Sequence, residues 1–357
     1  MKILLHGAIN FSNFGDFLFA KIFYEHIKNR GQEVEFYSHS KYGISAFFCK
    51  HLGYQPSEKN YKTLMRRCDA LVFIAGGYFA KCSKNDIFSR LKHIKRYFLP
   101  ALYFIKKGKP IYILGVGAGP FGKGLYRKLA LKVLNHAEVI HVRNEESKQY
   151  CLDLGVTTEI KVTADTALLL KEYMTSDCEI PLLTQNTSAP KAFLLHVNGS
   201  SQIQERMLKN VVPAIKCFLE NHSEYQLYLA ADGLGMDRAY EKYADVLNIF
   251  HPIKIAYDDP MQLCQYISKM DIVVTPKLHV GIVASVLGRS VFSFPAVPQK
   301  TKRFYKQIGE SDRCIPLEEV EQKMVLNMLE EKKDTHITVP QDLIDLAHEN
   351  LKAIPLR

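Results

Sequence analysis

A lysine and a histidine two residues apart, Lys277 and His279, stand where a strand pattern gives way to a helix pattern. Residues 271–274 form a β-branched apolar run suited to a buried strand, and Thr275-Pro276 stops it. From Leu278 onward, Val280, Ile282, Val283, Ala284 and Leu287 follow helical spacing, and Gly288 closes the pattern. A strand that turns sharply into a helix aims the helix's first N–H groups and its positive end at one point. An ammonium and an imidazole placed there would bind a small anion and hand it a proton. The plainer reading is a solvated lysine beside a satisfied core histidine. The rest of the chain favours the chemical one.

Other candidate groups also fall at strand ends. A strand at 3–7 leads into a loop over 8–16 that carries Asn13, Gly15 and Asp16, followed by a helix at 17–30 and a strand at 33–37. That order begins a parallel α/β sheet, in which ligands bind at the carboxyl edge of the strands. The loop is not G-x-G-x-x-G, so dinucleotide binding is not indicated. Gly15 as a plain turn and Asp16 as a helix N-cap are the alternatives. A strand at 70–75 ends in Gly76-Gly77, which either lets the backbone approach a ligand or allows close helix–strand packing. A strand at 110–115 runs into glycines over 116–122, read as a tight turn before a helix at 125–135. Arg143 ends a strand at 139–142, with pairing to Glu145 or Glu146 as its alternative role. Asp165 ends another strand, at 161–163.

These positions need a scaffold of two sheets. The chain has 357 residues, 47% hydrophobic and 24% charged, as expected of a soluble globular protein with two domains. The strand–helix alternation lapses over 171–190, a polar stretch with two prolines read as a linker. It resumes with a strand at 192–197, followed by Asn198, and continues through 308. The expected class is α/β: two Rossmann-like lobes with parallel sheets facing a central cleft. The boundaries are an N-terminal lobe at 1–172, a linker at 173–190, a C-terminal lobe at 191–315, and helices at 316–357 packing back on the lobes, with one substrate per lobe. The glycine loops and the Lys277–His279 turn would open into that cleft, which suits a transfer that excludes water on closure.

The formal net charge of +10 favours anionic partners, including an anionic membrane face. No aromatic-interleaved RNA signature or zinc-finger spacing occurs, so nucleic acid is not an expected partner. Eight cysteines without a C-x-x-C pair read as reduced core thiols, placing the protein in the cytoplasm. Met1-Lys2 leads directly into a strand, with no signal peptide, and no apolar run reaches membrane-spanning length. Residues 97–105 are apolar and end in Lys106-Lys107, which reads as a helix packed on a sheet or as a segment resting on a membrane surface. Asp16 and Asp165 are not at metal-ligand spacing, and neither metal nor cofactor is expected.

Several of these segments, in this order, resemble the polysaccharide pyruvyl transferases. They are Asn13-Phe14-Gly15-Asp16, Gly76-Gly77-Tyr78-Phe79, Gly115-Val116-Gly117-Ala118-Gly119-Pro120, Val142-Arg143-Asn144-Glu145-Glu146-Ser147, Asp165, and Leu278 through Ala284 with Gly288 and Lys300. The family commonly has Arg where Lys277 stands, and often a third glycine where Tyr78 stands. The resemblance implies a two-lobed glycosyltransferase-B-like fold. It also implies transfer of pyruvate from phosphoenolpyruvate, a co-substrate, to sugar hydroxyls, usually as a cyclic ketal, on a cell-surface polysaccharide or its lipid-linked oligosaccharide precursor. In that setting Lys277, Leu278, Arg143 and Lys300 would hold the donor, His279 would act as general acid, and Asp16 would orient or deprotonate the acceptor hydroxyl. Asn13, Gly15, Gly76, Gly77, Asp165 and Asn198 would line the acceptor side or the cleft. A nucleotide-sugar glycosyltransferase on the same scaffold and a non-catalytic glycan-binding protein are the competing classes.

Overall fold

A computed structural model describes residues 1–9, 13–37, 45–58, 60–80, 87–174 and 191–355. Asn10, Phe11 and Ser12 of the first loop, and the expected linker from 175 to 190, lie outside the described residues. The chain divides into two compact units, Met1–Leu169 with Gln341–Arg357, and Leu170–Pro340.

The elements of the first unit run β1 (Lys2–His6), α1 (Phe14–Lys28), β2 (Glu33–Phe36), α2 (Ala46–Leu52), α3 (Tyr61–Arg67), β3 (Ala70–Phe73), β4 (Gly76–Phe79), α4 (Ile87–Lys106), β5 (Ile111–Ala118), α5 (Leu125–Leu134), β6 (Val139–Val142), α6 (Glu145–Leu154) and β7 (Ile160–Val162). The second unit holds β8 (Lys191–His196), α7 (Ser201–Arg206), α8 (Val212–Asn221), β9 (Tyr225–Ala230), α9 (Asp237–Val246), β10 (Ile253–Ile255), α10 (Pro260–Ile267), β11 (Ile272–Thr275), α11 (Leu278–Val286), β12 (Ser290–Ser293), α12 (Pro298–Gln307) and α13 (Gln322–Lys332). The last helix, α14 (Gln341–Lys352), returns to the first unit.

Both sheets are parallel. The first has the order β2-β1-β3-β5-β6-β7, with β4 pairing off that path onto β5. The second has the order β10-β9-β8-β11-β12. Strands covered by helices on both faces read as unbroken apolar runs rather than alternating ones. Ala70–Phe73 and Ile272–Thr275 are accordingly buried at every residue. The two-lobed parallel α/β expectation therefore holds.

The glycines read as following strands lie within strands. Gly76-Gly77 lie inside β4, and β5 runs past Gly115 to Ala118, taking Gly117 into the sheet. What these glycines admit is a neighbour. A Cβ on Gly115 would meet Thr166 Oγ1 at 2.9 Å and Asn350 Nδ2 at 3.2 Å, and one on Gly117 would meet Arg143 Nε at 3.1 Å. Tyr78 folds back so that a Cβ on Gly76 would sit 2.7 Å from its ring. At Gly76, Gly115 and Gly117 the space a side chain would need is taken by a neighbour.

The stretch at 97–105 belongs to the longer helix α4. Tyr97, Phe98, Ala101 and Phe104 are buried, and α4 packs on β3, β5, α3 and α5. Of its two readings, the helix packed on a sheet holds for this half. At the far end of the chain, the fully buried Asn350 of α14 accepts from Thr163 Oγ1 (2.8 Å) and donates to the Ala164 carbonyl (3.0 Å), which ties α14 to the first sheet. Among the described residues, no helix is long and apolar enough to cross a membrane.

Candidate functional site

In an open parallel sheet, ligands bind beyond the carboxyl ends of the strands where the strand order reverses. In the second unit the chain starts in the middle at β8, builds outward through β9 and β10, then crosses back to β11 on the other side of β8. The reversal therefore lies between β8 and β11. Strand β8 ends at His196, and β11 ends at Thr275, two residues before Lys277.

The turn after β11 is built locally. Thr275 Oγ1 accepts from the Lys277 backbone N–H at 3.0 Å, which bends the chain sharply behind the strand. Lys277 is the N-cap residue of α11 and makes no side-chain cap bond. The N–H groups of the first turn thus lack the usual capping oxygen. Residues Val280 to Ser285 are all buried, whereas Lys277, Leu278 and His279 are half-buried. The helix is therefore partly exposed at both ends, at Lys277–His279 and at Val286, while the Nε2 of His279 is itself buried. Gly281 sets its seat, because a Cβ there would lie 2.8 Å from the hydroxyl of the buried Tyr305 in α12.

Two residues that sequence reasoning passed over complete this corner. Asp232, two residues beyond β9, places Oδ2 3.5 Å from Lys277 Nζ and Oδ1 3.6 Å from His196 Nε2. His196 is fully buried, and burial pushes its imidazole down to about 4, against the opposing pull of Asp232. It is neutral at pH 7. The cluster therefore carries one ammonium, one carboxylate and one neutral imidazole beside the open end of α11. Asn198 is buried nearby in sequence but serves its own loop: its Oδ1 accepts from Ser200 N at 2.8 Å and its carbonyl from Gln204 Nε2 at 2.7 Å. Lys300 lies exposed on α12.

In the first unit the reversal lies between β1 and β3. Asn13, rather than Asp16, caps α1, its Oδ1 accepting from Asp16 N at 3.2 Å. Asp16 sits in the first turn, half-buried, where a carboxylate is favoured by the helix dipole, and Gly15 is buried beside it. His6, at the end of β1, is ringed by Tyr37, Phe73, Tyr78 and Tyr97 at centroid distances of 4.8 to 6.4 Å, and burial lowers its imidazole to about 3. Arg143 donates from Nη1 to Asp165 Oδ2 at 2.8 Å, and both are buried. The two strand-end residues expected to serve donor and cleft are thus partners of each other. Their pairing satisfies a buried charge that would be costly alone. Among the described residues, no cluster of three or more His, Cys, Asp or Glu could hold a metal ion.

Residues 13–295 match the family model of the polysaccharide pyruvyl transferases. The chain belongs to this family. A role in pyruvyl transfer to polysaccharide comes with that membership. No curated protein matches the sequence significantly. Among solved structures, the Neisseria meningitidis UDP-GlcNAc 2-epimerase bound to UDP-GlcNAc aligns with a TM-score of 0.66 at 11% identity, over 99% of each chain. The Methanocaldococcus jannaschii UDP-GlcNAc 2-epimerase in complex with UDP-GlcNAc and UDP aligns at 0.60 and 12%, over 98% of each. The S. aureus MnaA-UDP structure gives 0.63 and 11%, over 99% of this chain and 91% of the other. At such identities these likenesses show the fold, which is glycosyltransferase-B-like.

In this pyruvyl transferase family member, the sequence signal for Asp232 was available though weak. It stands in Ala231-Asp232-Gly233, a short loop directly after an apolar strand. Only the strand order makes β9 the neighbour of β8 and brings Asp232 to Lys277.

Proposed function

We propose that the protein moves the pyruvate unit of phosphoenolpyruvate onto two hydroxyls of a glycan acceptor, forming a cyclic ketal. The observation that carries this reading is the half-buried Lys277-Leu278-His279 turn at the strand-order reversal of the second sheet, at the N-terminus of a helix buried from Val280 to Ser285. Phosphoenolpyruvate brings a phosphate and a carboxylate. A helix N-terminus with an ammonium beside it suits such a ligand.

In the proposed reaction, His279 donates a proton to the methylene carbon, C3, as an acceptor hydroxyl adds to C2. That hydroxyl gives up its proton to a carboxylate, for which Asp16 is the proposed group. The C2–O bond to phosphate then breaks while a second hydroxyl closes the ring, and the second hydroxyl's proton leaves with the phosphate. One proton is gained at carbon and two are lost from oxygen, and phosphate departs carrying one. Family membership and the helix end support this sequence of events.

The test is phosphate release from phosphoenolpyruvate with acceptor glycoside. His279→Ala is expected to lower kcat by about 10²- to 10⁴-fold, the usual range for losing a general acid. Turnover near that of the unmodified enzyme would remove His279 from the chemistry. Lys277→Arg is expected to lower KM for the donor, because a guanidinium grips phosphate or carboxylate with two bonds. A second reading comes from the nucleotide-sugar ligands named for the structural neighbours. Under it, uridine nucleotides rather than phosphoenolpyruvate would raise Tm, by an amount that follows occupancy of the native state.

A further inference from the structure

We infer that the outward face of α4 is a docking surface for an anionic phospholipid bilayer. Helix α4 has two opposed faces. Tyr97, Ala101 and Phe104 point into the first unit and are buried. On the opposite side, Phe88, Lys92, Lys95, Leu99, Leu102 and Lys106 recur at intervals of three and four residues along one stripe, with Leu91 at its edge and Leu99 and Leu102 half-buried. Phe88 is 81% exposed and Leu91 44% exposed, while Lys92, Lys95 and Lys106 are also exposed.

An aromatic and an aliphatic side chain held in water on a helix already fixed by packing on its other face is a costly arrangement for a surface that meets only solvent. The charges state what fits it. The sequence of α4 contains Arg90, Lys92, Lys95, Arg96 and Lys106 and not one Asp or Glu, within a chain of net charge +10. Leucines and a phenylalanine interleaved with lysines match the boundary of a bilayer. There the apolar tips enter among the acyl chains, and the lysine stems lie along them with their ammonium groups at the phosphates. The helix would lie on the bilayer and not cross it. An acidic protein would match the lysines, but the bare Phe88 and Leu91 favour lipid. This surface lies on the first unit and does not depend on the proposed chemistry at Lys277 and His279.

The experiment is vesicle co-sedimentation with the full-length protein, without substrate. Vesicles of phosphatidylcholine with one quarter phosphatidylglycerol are compared with phosphatidylcholine alone, at low salt and at about 0.5 M salt, where exposed charges are screened. Binding to the anionic vesicles is expected at low salt, and little to the neutral ones. Each lysine at an anionic surface contributes about fivefold in affinity, so Lys92→Glu with Lys95→Glu should weaken binding by well over tenfold. Phe88→Ser with Leu91→Ser should weaken it at both salt concentrations. All four positions are exposed, so unchanged Tm and far-UV circular dichroism will show that the variants are folded. Equal binding to neutral and anionic vesicles, or variants that bind like the parent, would overturn the inference. So would light scattering that shows Phe88→Ser dissolving a dimer while vesicle binding stays the same, because the face would then belong to a second copy. Vesicle binding and phosphate release are separate readouts, so either reading can fail without the other.

Discussion

At the scale of residues, the corner formed by Lys277, Asp232 and His196 sets up a contest that magnitudes decide. Asp232 could help an incoming anion by holding Lys277 in place, or oppose it by its own negative charge. Tethering a partly exposed lysine is worth about 0.2–1 kcal/mol. A carboxylate about 6 Å from a bound anion opposes it by about 1–3 kcal/mol at the effective dielectric of a protein surface. Repulsion therefore wins. Asp232→Asn is expected to tighten phosphoenolpyruvate binding by about fivefold or more in isothermal titration, with slower phosphate release. Weaker binding would show that tethering dominates. The buried pair of Arg143 and Asp165 behaves differently, since each partner keeps the other satisfied. Arg143→Leu leaves a buried carboxylate without its cation and should cost about 3–5 kcal/mol in chemical denaturation. A loss of activity in that variant would have to be separated from this loss of stability.

At the scale of elements, α11 and α14 show how helices are seated by single residues. Gly281 allows α11 to lie against Tyr305. Gly281→Ala would gain about 1 kcal/mol in helix propensity. It would also force a methyl to 2.8 Å from a buried hydroxyl, and overpacking of this kind costs about 1–3 kcal/mol. A net fall in Tm is expected, together with a raised donor KM, because the helix end is displaced with the helix. For α14, Asn350→Ala removes the partner of the Ala164 carbonyl and leaves the Thr163 hydroxyl only its bond to the Val142 carbonyl at 3.3 Å. A cost of about 2–3 kcal/mol, with faster amide exchange across α14, would mark the asparagine as its main polar anchor. Helix positions such as 125–134 were legible from apolar spacing. The strand character of Gly76-Gly77 and of residues 116–118 was not, because a glycine carries no apolar side chain to mark a strand.

At the scale of the whole molecule, histidines withdrawn wholly or partly from solvent set the response to acid. His6, His26, His141 and His196 are held at about 3, 4, 4 and 4, with burial the leading cause in each. Unfolded, each titrates near 6.5. Between pH 6.5 and 4 the unfolded chain takes up protons that the native state refuses, so stability is full above about 6.5 and declines as pH falls. For His196 alone the loss by pH 4 is about 3 kcal/mol. Tm should therefore drop steeply across that window, and His196→Leu should flatten the slope. A flat Tm from pH 7 to 4 would contradict the burial of His6, His141 and His196. The sequence by itself determined the two parallel-sheet units, because buried parallel strands and their covering helices impose short apolar runs and helical spacing that local reading recovers. It also determined the Lys277–His279 turn, since a strand stop, a cation and a helix start lie within a few consecutive residues. Tertiary structure alone decided that Asp232 and His196 join that turn, that Arg143 is satisfied by Asp165, and that α4 buries one face while leaving Phe88 and Leu91 bare. Each of those depends on strand order and packing between residues far apart in the chain, and such distances leave no local periodicity to read.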